Sequence, residues 1–391
     1  MSWSQIFRSL CSPVIQTSNT AKLAVALALI LQCVVAPCAR AEEPGVAARA
    51  WVLTDVRSGE HLAGKDASER LPMASTTKIM TALVALEEAD LDEEVTVSQE
   101  AAALATPAYS NVGLFAGDTL SVRELLEAAL ISSGDDAAYA LAEHLGDGNV
   151  RDFVAKMNRE AQTLGLDDTH FENPVGFDAR EQYSSARDLA EMARLAMGYP
   201  EFREIVATEY ATITTQDREI PLTNTNGLLF VYPPATGVKT GTTPRSGPSL
   251  VASAASGNES YISVILDARG DRFAASIQEL EHAFAAYDRV NLVAEGEQYA
   301  KADVPYRRGE TVDLVAKENV DGLVDGNSRV ECGVRVLEDM PASARPGTKL
   351  GEVVARVDGE IVGESPLVAR RGYEEASLWE RVWYMASSLW K

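Results

Sequence analysis

Apolar residues recur at helical spacing in the part of the chain that begins at Ser75. Ile79, Leu83 and Leu86 lie on one face of a predicted helix, because positions three and four apart share a face. The segment 121–124 reads S-V-R-E, a capping box that predicts the start of a second helix. The remaining helices of this region are predicted at 136–145 and 185–197.

Strand patterns flank these helices in the sequence. One strand is predicted at 50–56, and two more at 250–254 and 261–266 are joined by a Gly257-Asn258 turn. A helix from Phe273 to about Tyr287 follows. Since strands lie on both sides of the helical region, we expect an α/β domain of layered α+β type, whose sheet is closed by strands distant in sequence. This domain is predicted to span residues 42–290.

A different pattern begins near position 291. Short β-like runs are separated by Asp-Gly dipeptides at 321, 325 and 358, which predicts a small all-β domain at 291–372. The last segment, 373–391, has the spacing of an amphipathic helix. Its apolar face and the tryptophans along its edge are Leu378, Val382, Met385, Leu389, Trp379, Trp383 and Trp390. Tryptophan-rich helices suit a membrane interface, and a helix docked on the protein is the alternative.

The N-terminal segment has the composition of a secretory signal peptide. Arg8 and Lys22 are basic, and no acidic residue precedes Glu42. An apolar run at 23–35 is followed by A-R-A at 39–41, an A-x-A cleavage pattern. The run is too short to cross a bilayer comfortably. We therefore expect residues 1–41 to be a signal peptide and the mature protein to be exported, with an uncleaved anchor as the alternative.

Charge and histidine spacing narrow the function further. The formal net charge of −23 argues against a nucleic-acid partner, because such proteins need basic surface to neutralise phosphates. The four histidines show no metal-ligand spacing, so we expect no metal and no cofactor. They are His61, His144, His170 and His282.

Candidate chemistry begins with the segment 75–78, which reads S-T-T-K. On a helix, residues three apart share a face, so the Ser75 hydroxyl and the Lys78 amine can meet. A serine hydroxyl is a weak nucleophile until a base removes its proton. A lysine serves as that base when burial and cationic neighbours lower its pKa. By itself S-x-x-K is weak, because surface helices show it often by chance.

Two further short patterns follow in order. The segment 239–241 reads K-T-G, which offers a cation, a hydroxyl and a glycine that lets a substrate strand approach closely. Such a strand suits a substrate that ends in a carboxylate. Between two predicted helices, 133–135 reads S-G-D, where Ser133 supplies a second hydroxyl. Asp135 is also placed to cap the helix that follows.

Together these patterns resemble those of class A β-lactamases and penicillin-binding proteins. The chain resembles in particular the low-molecular-mass penicillin-binding D-Ala-D-Ala carboxypeptidases, peptidase family S11. Residues 71–81 (LPMASTTKIMT) are similar to their nucleophile segment, and 169–178 (THFENPVGFD) to their T-x-F-x-N-P-x-G-L-D loop. Residues 237–254 are similar to their K-T-G strand and its return. The resemblance covers residues 48–290 and is looser in the C-terminal region.

The resemblance implies a β-lactamase/transpeptidase-like fold, with an antiparallel sheet flanked by helices, and a mechanism. Ser75 is expected to attack the carbonyl between the terminal D-alanines of a peptidoglycan pentapeptide stem, with Lys78 as base and Ser133 as proton relay. The backbone N–H groups of Ser75 and Thr242 are expected to form the oxyanion hole. A β-lactam would acylate Ser75 covalently. The implied substrate-binding residues are Asp135, Lys239, Thr240, Gly241, Thr242 and Arg272.

One departure leaves alternatives open. The family usually has asparagine at the position of Asp135, and an ionised aspartate can only accept hydrogen bonds. A serine β-lactamase needs a second general base for deacylation, and Glu172 lies in a loop where it is a candidate. A non-catalytic wall-binding module with the penicillin-binding fold is the other alternative. No G-x-S-x-G surrounds Ser75, which argues against a Ser-His-Asp triad.

Overall fold

The computed structural model describes residues 45–388, which divide into two compact units at 285/286. The signal peptide expected at 1–41 lies outside the described residues, as do Leu389 and Trp390. Among residues 45–388, no helix combines the length and apolar character needed to cross a membrane.

The first unit alternates helices and strands, and its sheet draws on both ends of the segment. Its strands are β1 (Ala48–Asp55), β2 (His61–Lys65), β3 (Glu94–Thr96), β4 (Thr119–Ser121), β5 (Tyr210–Thr214), β6 (Glu219–Thr223), β7 (Ala235–Thr243), β8 (Gly247–Ser256) and β9 (Glu259–Ala268). Its helices are α1 (Lys78–Glu88), α2 (Gln99–Ala102), α3 (Val122–Leu130), α4 (Asp135–Leu145), α5 (Val150–Thr163), α6 (Ala186–Ala196), α7 (Pro200–Ala207), α8 (Leu228–Val231) and α9 (Arg272–Ala286).

The main sheet is antiparallel with strand order β2-β1-β9-β8-β7. Val52 of β1 pairs with Val264 of β9, which in turn pairs with Val251 of β8, so the strand order joins residues far apart in sequence. The predicted layered domain and the antiparallel sheet implied by the resemblance are confirmed. Strand β7, which carries K-T-G, lies at the edge of this sheet, and no strand among residues 45–388 pairs with its outer side.

Helix α1 runs through the interior of the unit. Its residues from Lys78 to Ala85 are all buried, and Ile79, Leu83 and their apolar neighbours belong to the main core. Burial of side chains all around a helix is typical of a central core element. Polar residues of α1 therefore need partners inside the protein, which places Lys78 in a fully enclosed setting.

The predicted helix starts were only partly right: α1 begins at Lys78, after a 3-10 turn that contains Ser75. The capping box at Ser121 and Glu124 is confirmed, with both reciprocal hydrogen bonds present. The prediction that Asp135 caps α4 was wrong: the N-cap is Gly134, and Asp135 is the first helical residue. Its carboxylate is directed to Lys78 instead, because a buried lysine needs a charged partner more than a helix end needs a cap.

The second unit is rich in strands, as predicted, and ends in a helix. Its core includes Leu314, Leu350, Val353 and Leu367. A five-stranded antiparallel sheet has the order β11-β12-β16-β15-β14, and β10 pairs with β13. The elements are β10 (Tyr287–Val293), β11 (Gln298–Asp303), β12 (Thr311–Ala316), β13 (Val320–Asp325), β14 (Val330–Val336), β15 (Lys349–Val357), β16 (Glu360–Ala369) and α10 (Leu378–Ser388).

Candidate active site

Ser75 lies in a short 3-10 turn, Ala74–Thr77, at the start of α1. The threonine hydroxyls of this turn bind backward to the backbone: Thr76 Oγ1 donates to Met73 O at 2.7 Å, and Thr77 Oγ1 donates to Ala74 O at 2.8 Å. These bonds leave Ser75 as the turn residue that is not fully buried. The turn therefore presents its one accessible hydroxyl outward from a rigid backbone.

The Lys78 amine sits directly beneath this hydroxyl. Lys78 Nζ donates to Ser75 Oγ at 3.1 Å, to Asp135 Oδ1 at 2.6 Å and to Val175 O at 2.9 Å. These three acceptors match the three protons that an ammonium group can donate. Burial lowers the pKa of Lys78, and the charge of Asp135 opposes that shift. A buried amine is thus held one hydrogen bond from the Ser75 hydroxyl.

Asp135 is the buried counter-ion of that lysine. Burial raises the pKa of its carboxyl, and the neighbouring Lys78 charge acts in the opposite direction. Ser133, two residues earlier, is buried and adopts a left-handed φ of 60°. Such a conformation is unusual for a residue with a side chain. The turn between α3 and α4 therefore leads into the Asp135 contact with Lys78, and Ser133 is buried in the same turn.

Gly241 allows the edge strand β7, which also carries Lys239, to lie against the turn that contains Ser75. A Cβ built at Gly241 would lie 2.9 Å from Met73 O and 3.1 Å from Ser75 N, so only glycine allows β7 this close. Lys239 is buried, and its Nζ donates to Thr240 O at 3.2 Å. Burial and the nearby charge of Lys78 hold the pKa of Lys239 well below its usual range. Two lysines thus share one buried site.

Hydroxyls and a guanidinium complete this edge of the site. Thr240 Oγ1 donates to Thr225 Oγ1 at 2.8 Å. Arg272, the first residue of α9, donates through Nη1 to Thr242 Oγ1 at 2.9 Å, to Gly241 O at 2.9 Å and to Ser249 O at 3.1 Å. Burial lowers the pKa of this arginine. A lysine and an arginine therefore lie along the part of β7 that carries Gly241, which suits an anionic peptide end.

The geometry unites a hydroxyl, a buried amine and a cationic strand edge, and comparison with known proteins points the same way. Residues 38–270 match the model of family S11, described as D-alanyl-D-alanine carboxypeptidase. The chain is 33% identical to the D-alanyl-D-alanine carboxypeptidase DacF of Bacillus subtilis, over 86% of this chain and 88% of that protein. It is 34% identical to DacC of Escherichia coli, with 88% of each chain covered.

The chain belongs to peptidase family S11. Members of S11 are serine D-alanyl-D-alanine carboxypeptidases, and this chain has that activity. Covalent β-lactam binding is typical of the family. The fold agrees: the crystal structure of penicillin-binding protein 5 from Haemophilus influenzae superposes with a TM-score of 0.69 at 30% identity, covering 85% of this chain and 99% of that one.

A different family model matches the second unit. Residues 287–375 match the C-terminal domain of penicillin-binding protein 5. A second structural neighbour, a mutant of the Streptomyces K15 DD-transpeptidase, has a TM-score of 0.59 at 35% identity and covers 62% of this chain. That neighbour is itself covered completely. The strand-rich unit therefore corresponds to a domain that follows the catalytic domain in penicillin-binding protein 5.

Several features of the S11 site were not found from the sequence. Val175 O accepts from Lys78 across 97 residues of chain. The buried Asp136 carboxylate accepts from the backbone N–H groups of Val112, Gly113 and Leu114 at 3.0–3.2 Å. The adjacent Asp-Asp pair at a helix start was the signal that could have drawn attention to this residue.

Glu172, the candidate deacylation base of a β-lactamase, is exposed, and its Oε2 accepts from the Glu181 backbone N–H at 2.8 Å. This carboxylate is thus engaged in shaping its own loop. Among residues 45–388, no three histidine, cysteine, aspartate or glutamate side chains are grouped as metal ligands.

Proposed function

We propose that this carboxypeptidase works through an acyl-enzyme on Ser75, with Lys78 as the base. The Ser75 hydroxyl loses its proton to the Lys78 amine as Oγ attacks the carbonyl between the two terminal D-alanines. Ser133 relays a proton to the departing D-alanine nitrogen. Water then hydrolyses the ester. The observation that carries this proposal is the 3.1 Å contact between Lys78 Nζ and Ser75 Oγ.

We assign substrate recognition to the edge strand β7. The terminal carboxylate is held by Lys239, by the Thr240 and Thr242 hydroxyls and by Arg272. The backbone N–H groups of Ser75 and Thr242 donate hydrogen bonds to the oxyanion. Because this charge appears only at the tetrahedral stage, these bonds stabilise the transition state more than the bound substrate and lower the barrier. The close approach of Gly241 to Ser75 N supports this placement.

The decisive experiment measures D-alanine release from a muramyl pentapeptide, with and without a β-lactam. We expect Ser75→Ala to abolish both D-alanine release and labelling by fluorescent penicillin, because the attacking oxygen is gone. Ser256→Ala, an exposed serine at the end of β8, is the matched control and should leave both unchanged. Labelling that persists in Ser75→Ala would place the nucleophile elsewhere.

The two alternative functions give different outcomes in the same preparation. A β-lactamase would sustain nitrocefin hydrolysis, whereas a carboxypeptidase gives a stoichiometric burst followed by slow turnover. A non-catalytic wall-binding module would accept fluorescent penicillin but release no D-alanine. The family assignment favours the carboxypeptidase.

We also propose that the protein is exported and contacts the outer face of the cell membrane through α10. The expected signal peptide supports export. On α10, Trp379 is 83% exposed and Trp383 is 68% exposed, beside the exposed Leu378, Val382 and Met385. Such an apolar helix face suits the headgroup region of a bilayer. The mixed charges of α10 predict little dependence on anionic lipid.

Vesicle co-sedimentation tests this contact. The mature chain should bind zwitterionic vesicles, and Trp379→Ser with Trp383→Ser should release it without affecting D-alanine release from a soluble peptide. Binding that needs anionic lipid, or that survives the double substitution, would contradict this assignment.

A further inference from the structure

Two aromatic rings from distant segments meet beside the catalytic residues. The rings of Tyr109 and Phe177 have centroids 4.7 Å apart and an interplanar angle of 35°. Tyr109 is 42% exposed and Phe177 is half-buried, so the pair presents apolar surface to solvent. The S11 loop pattern that residues 169–178 resemble has leucine at the position of Phe177, so the second ring departs from that pattern.

The Tyr109 side of the pair is tied to the turn between α3 and α4. The next residue, Ser110, accepts from the Asp135 backbone N–H through its carbonyl at 2.8 Å. Asn111 Nδ2 donates to Tyr109 O at 3.0 Å. Just beyond, the Asp136 carboxylate holds three successive backbone N–H groups. The Tyr109 ring therefore belongs to a segment that is hydrogen-bonded to the start of α4, where Asp135 lies.

The Phe177 side is tied to the nucleophile turn and to the end of β7. Asn173 binds both backbone groups of Phe177: Oδ1 accepts from its N–H at 2.9 Å, and Nδ2 donates to its carbonyl at 3.0 Å. A Cβ at Gly176 would overlap the Ala74 carbonyl. The next residue, Asp178, accepts from Thr243 Oγ1 at 2.7 Å. Phe177 thus sits where β7 leaves the site.

The direction of the substrate follows from the strand edge. A peptide that pairs antiparallel with β7 and places its carboxylate near Lys239, Thr240 and Arg272 must run its earlier residues toward Thr243. That end of β7 is where Asp178 anchors the Phe177 loop. The aromatic pair therefore flanks the part of the stem peptide that precedes the scissile bond.

We propose that Tyr109 and Phe177 form an apolar subsite for the residue before the D-Ala-D-Ala pair, selecting stem peptides that carry a long acylated diamino acid there. This inference rests on the proposed function. Aromatic faces pack well on the methylene chain of such a residue. A dipeptide that consists only of the acylated D-alanine pair has no group to place against the exposed surface of the two rings.

Two substrates isolate the subsite. Nα,Nε-diacetyl-L-lysyl-D-alanyl-D-alanine reaches it, and N-acetyl-D-alanyl-D-alanine does not. We expect Tyr109→Ala and Phe177→Ala each to lower kcat/KM for the tripeptide about 10-fold, the size expected for a few apolar contacts. The loss should appear in KM, since the contact is the same in the ground and transition states. For the dipeptide, kcat/KM should stay within about twofold.

Further variants separate the subsite from a general structural effect. Tyr109→Phe keeps the ring and should retain wild-type selectivity. Phe177→Leu restores the residue usual in the family and should lose most of the tripeptide preference. Phe115→Ala is the matched control, because this exposed ring packs over the Arg218 guanidinium at 4.0 Å rather than on Phe177. It should leave both substrates unchanged.

The outcomes are distinct. An equal loss of kcat/KM for both substrates would mean that the rings only support the fold. No loss for either substrate would mean that the bound peptide does not pass the rings. Either outcome overturns the inference. A parallel loss with Phe115→Ala would overturn it as well. Wild-type protein that releases no D-alanine from either substrate would instead overturn the proposed function.

Discussion

Replacing Asp135 by asparagine tests how this site sets the basicity of its lysine. Asparagine keeps the shape of the side chain and an oxygen that can accept from Lys78 Nζ, and it removes one negative charge. Asp135 Oδ1 lies 2.6 Å from Lys78 Nζ. Both side chains are nearly inaccessible to solvent, with exposures of 0% for Lys78 and 6% for Asp135. The substitution therefore changes electrostatics while leaving packing nearly intact.

The contact distance sets the size of the effect. At 2.6 Å and an effective dielectric constant of ~20, two unit charges attract by about 6 kcal/mol. Much of this attraction offsets the cost of burying both ions. The part of the attraction that remains favours the protonated form of Lys78. The Asp135 charge also acts to raise the pKa of Lys239. Loss of the carboxylate should lower the pKa of both amines.

The sign of the kinetic effect follows. The base must be unprotonated to accept the Ser75 proton, so kcat/KM rises as pH passes the pKa of Lys78. In Asp135→Asn this pKa is lower, and the acid limb of the profile should move to lower pH by about one unit or more. Activity near neutrality is then kept or raised. At higher pH, KM should increase because Lys239 loses its charge sooner.

The assay is the pH profile of D-alanine release and of acylation by benzylpenicillin, both as second-order rate constants. Asp135→Ala serves as contrast: it leaves a buried cation without its partner and should cost about 3–5 kcal/mol of folding stability. A limb that stays in place or moves to higher pH in Asp135→Asn would refute the reasoning. A collapse to background at every pH would show that the carboxylate itself takes part in proton transfer.

Three further substitutions have defined outcomes. Lys239→Ala should lower kcat/KM for D-alanine release about 10- to 100-fold, since a charge-assisted bond to the carboxylate is lost. Gly176→Ala should lower the melting temperature and slow penicillin acylation, because its Cβ overlaps the Ala74 carbonyl. Burial holds the pKa of Glu279 well above 4.5, with Ser263 Oγ donating to it at 2.6 Å. A raised carboxyl pKa means that wild-type stability falls as pH rises above about 4.5, so Glu279→Gln should raise the melting temperature more at pH 8 than at pH 5.

Much of the fold could be predicted from local sequence patterns. The spacing of Ile79 and Leu83 follows from the burial of α1. The hydrogen bonds of the capping box at Ser121 form within four residues. Both features can therefore be predicted without tertiary information. The same holds for the hairpin at 257–258, which lies between β8 and β9. S-x-x-K is local too, since a single turn brings Lys78 to Ser75. These features depend on neighbours in sequence.

The sequence by itself thus determined the short turn that brings Ser75 and Lys78 together, the K-T-G strand and the layered domain. Only the tertiary structure decided that Asp135 is a counter-ion rather than a cap, since its partner lies 57 residues away. The same is true of the Val175 carbonyl and of the ring contact between Tyr109 and Phe177. Burial and long-range contact are the physical reason: a side chain's charge and role depend on what surrounds it, and those surroundings come from distant segments of the chain.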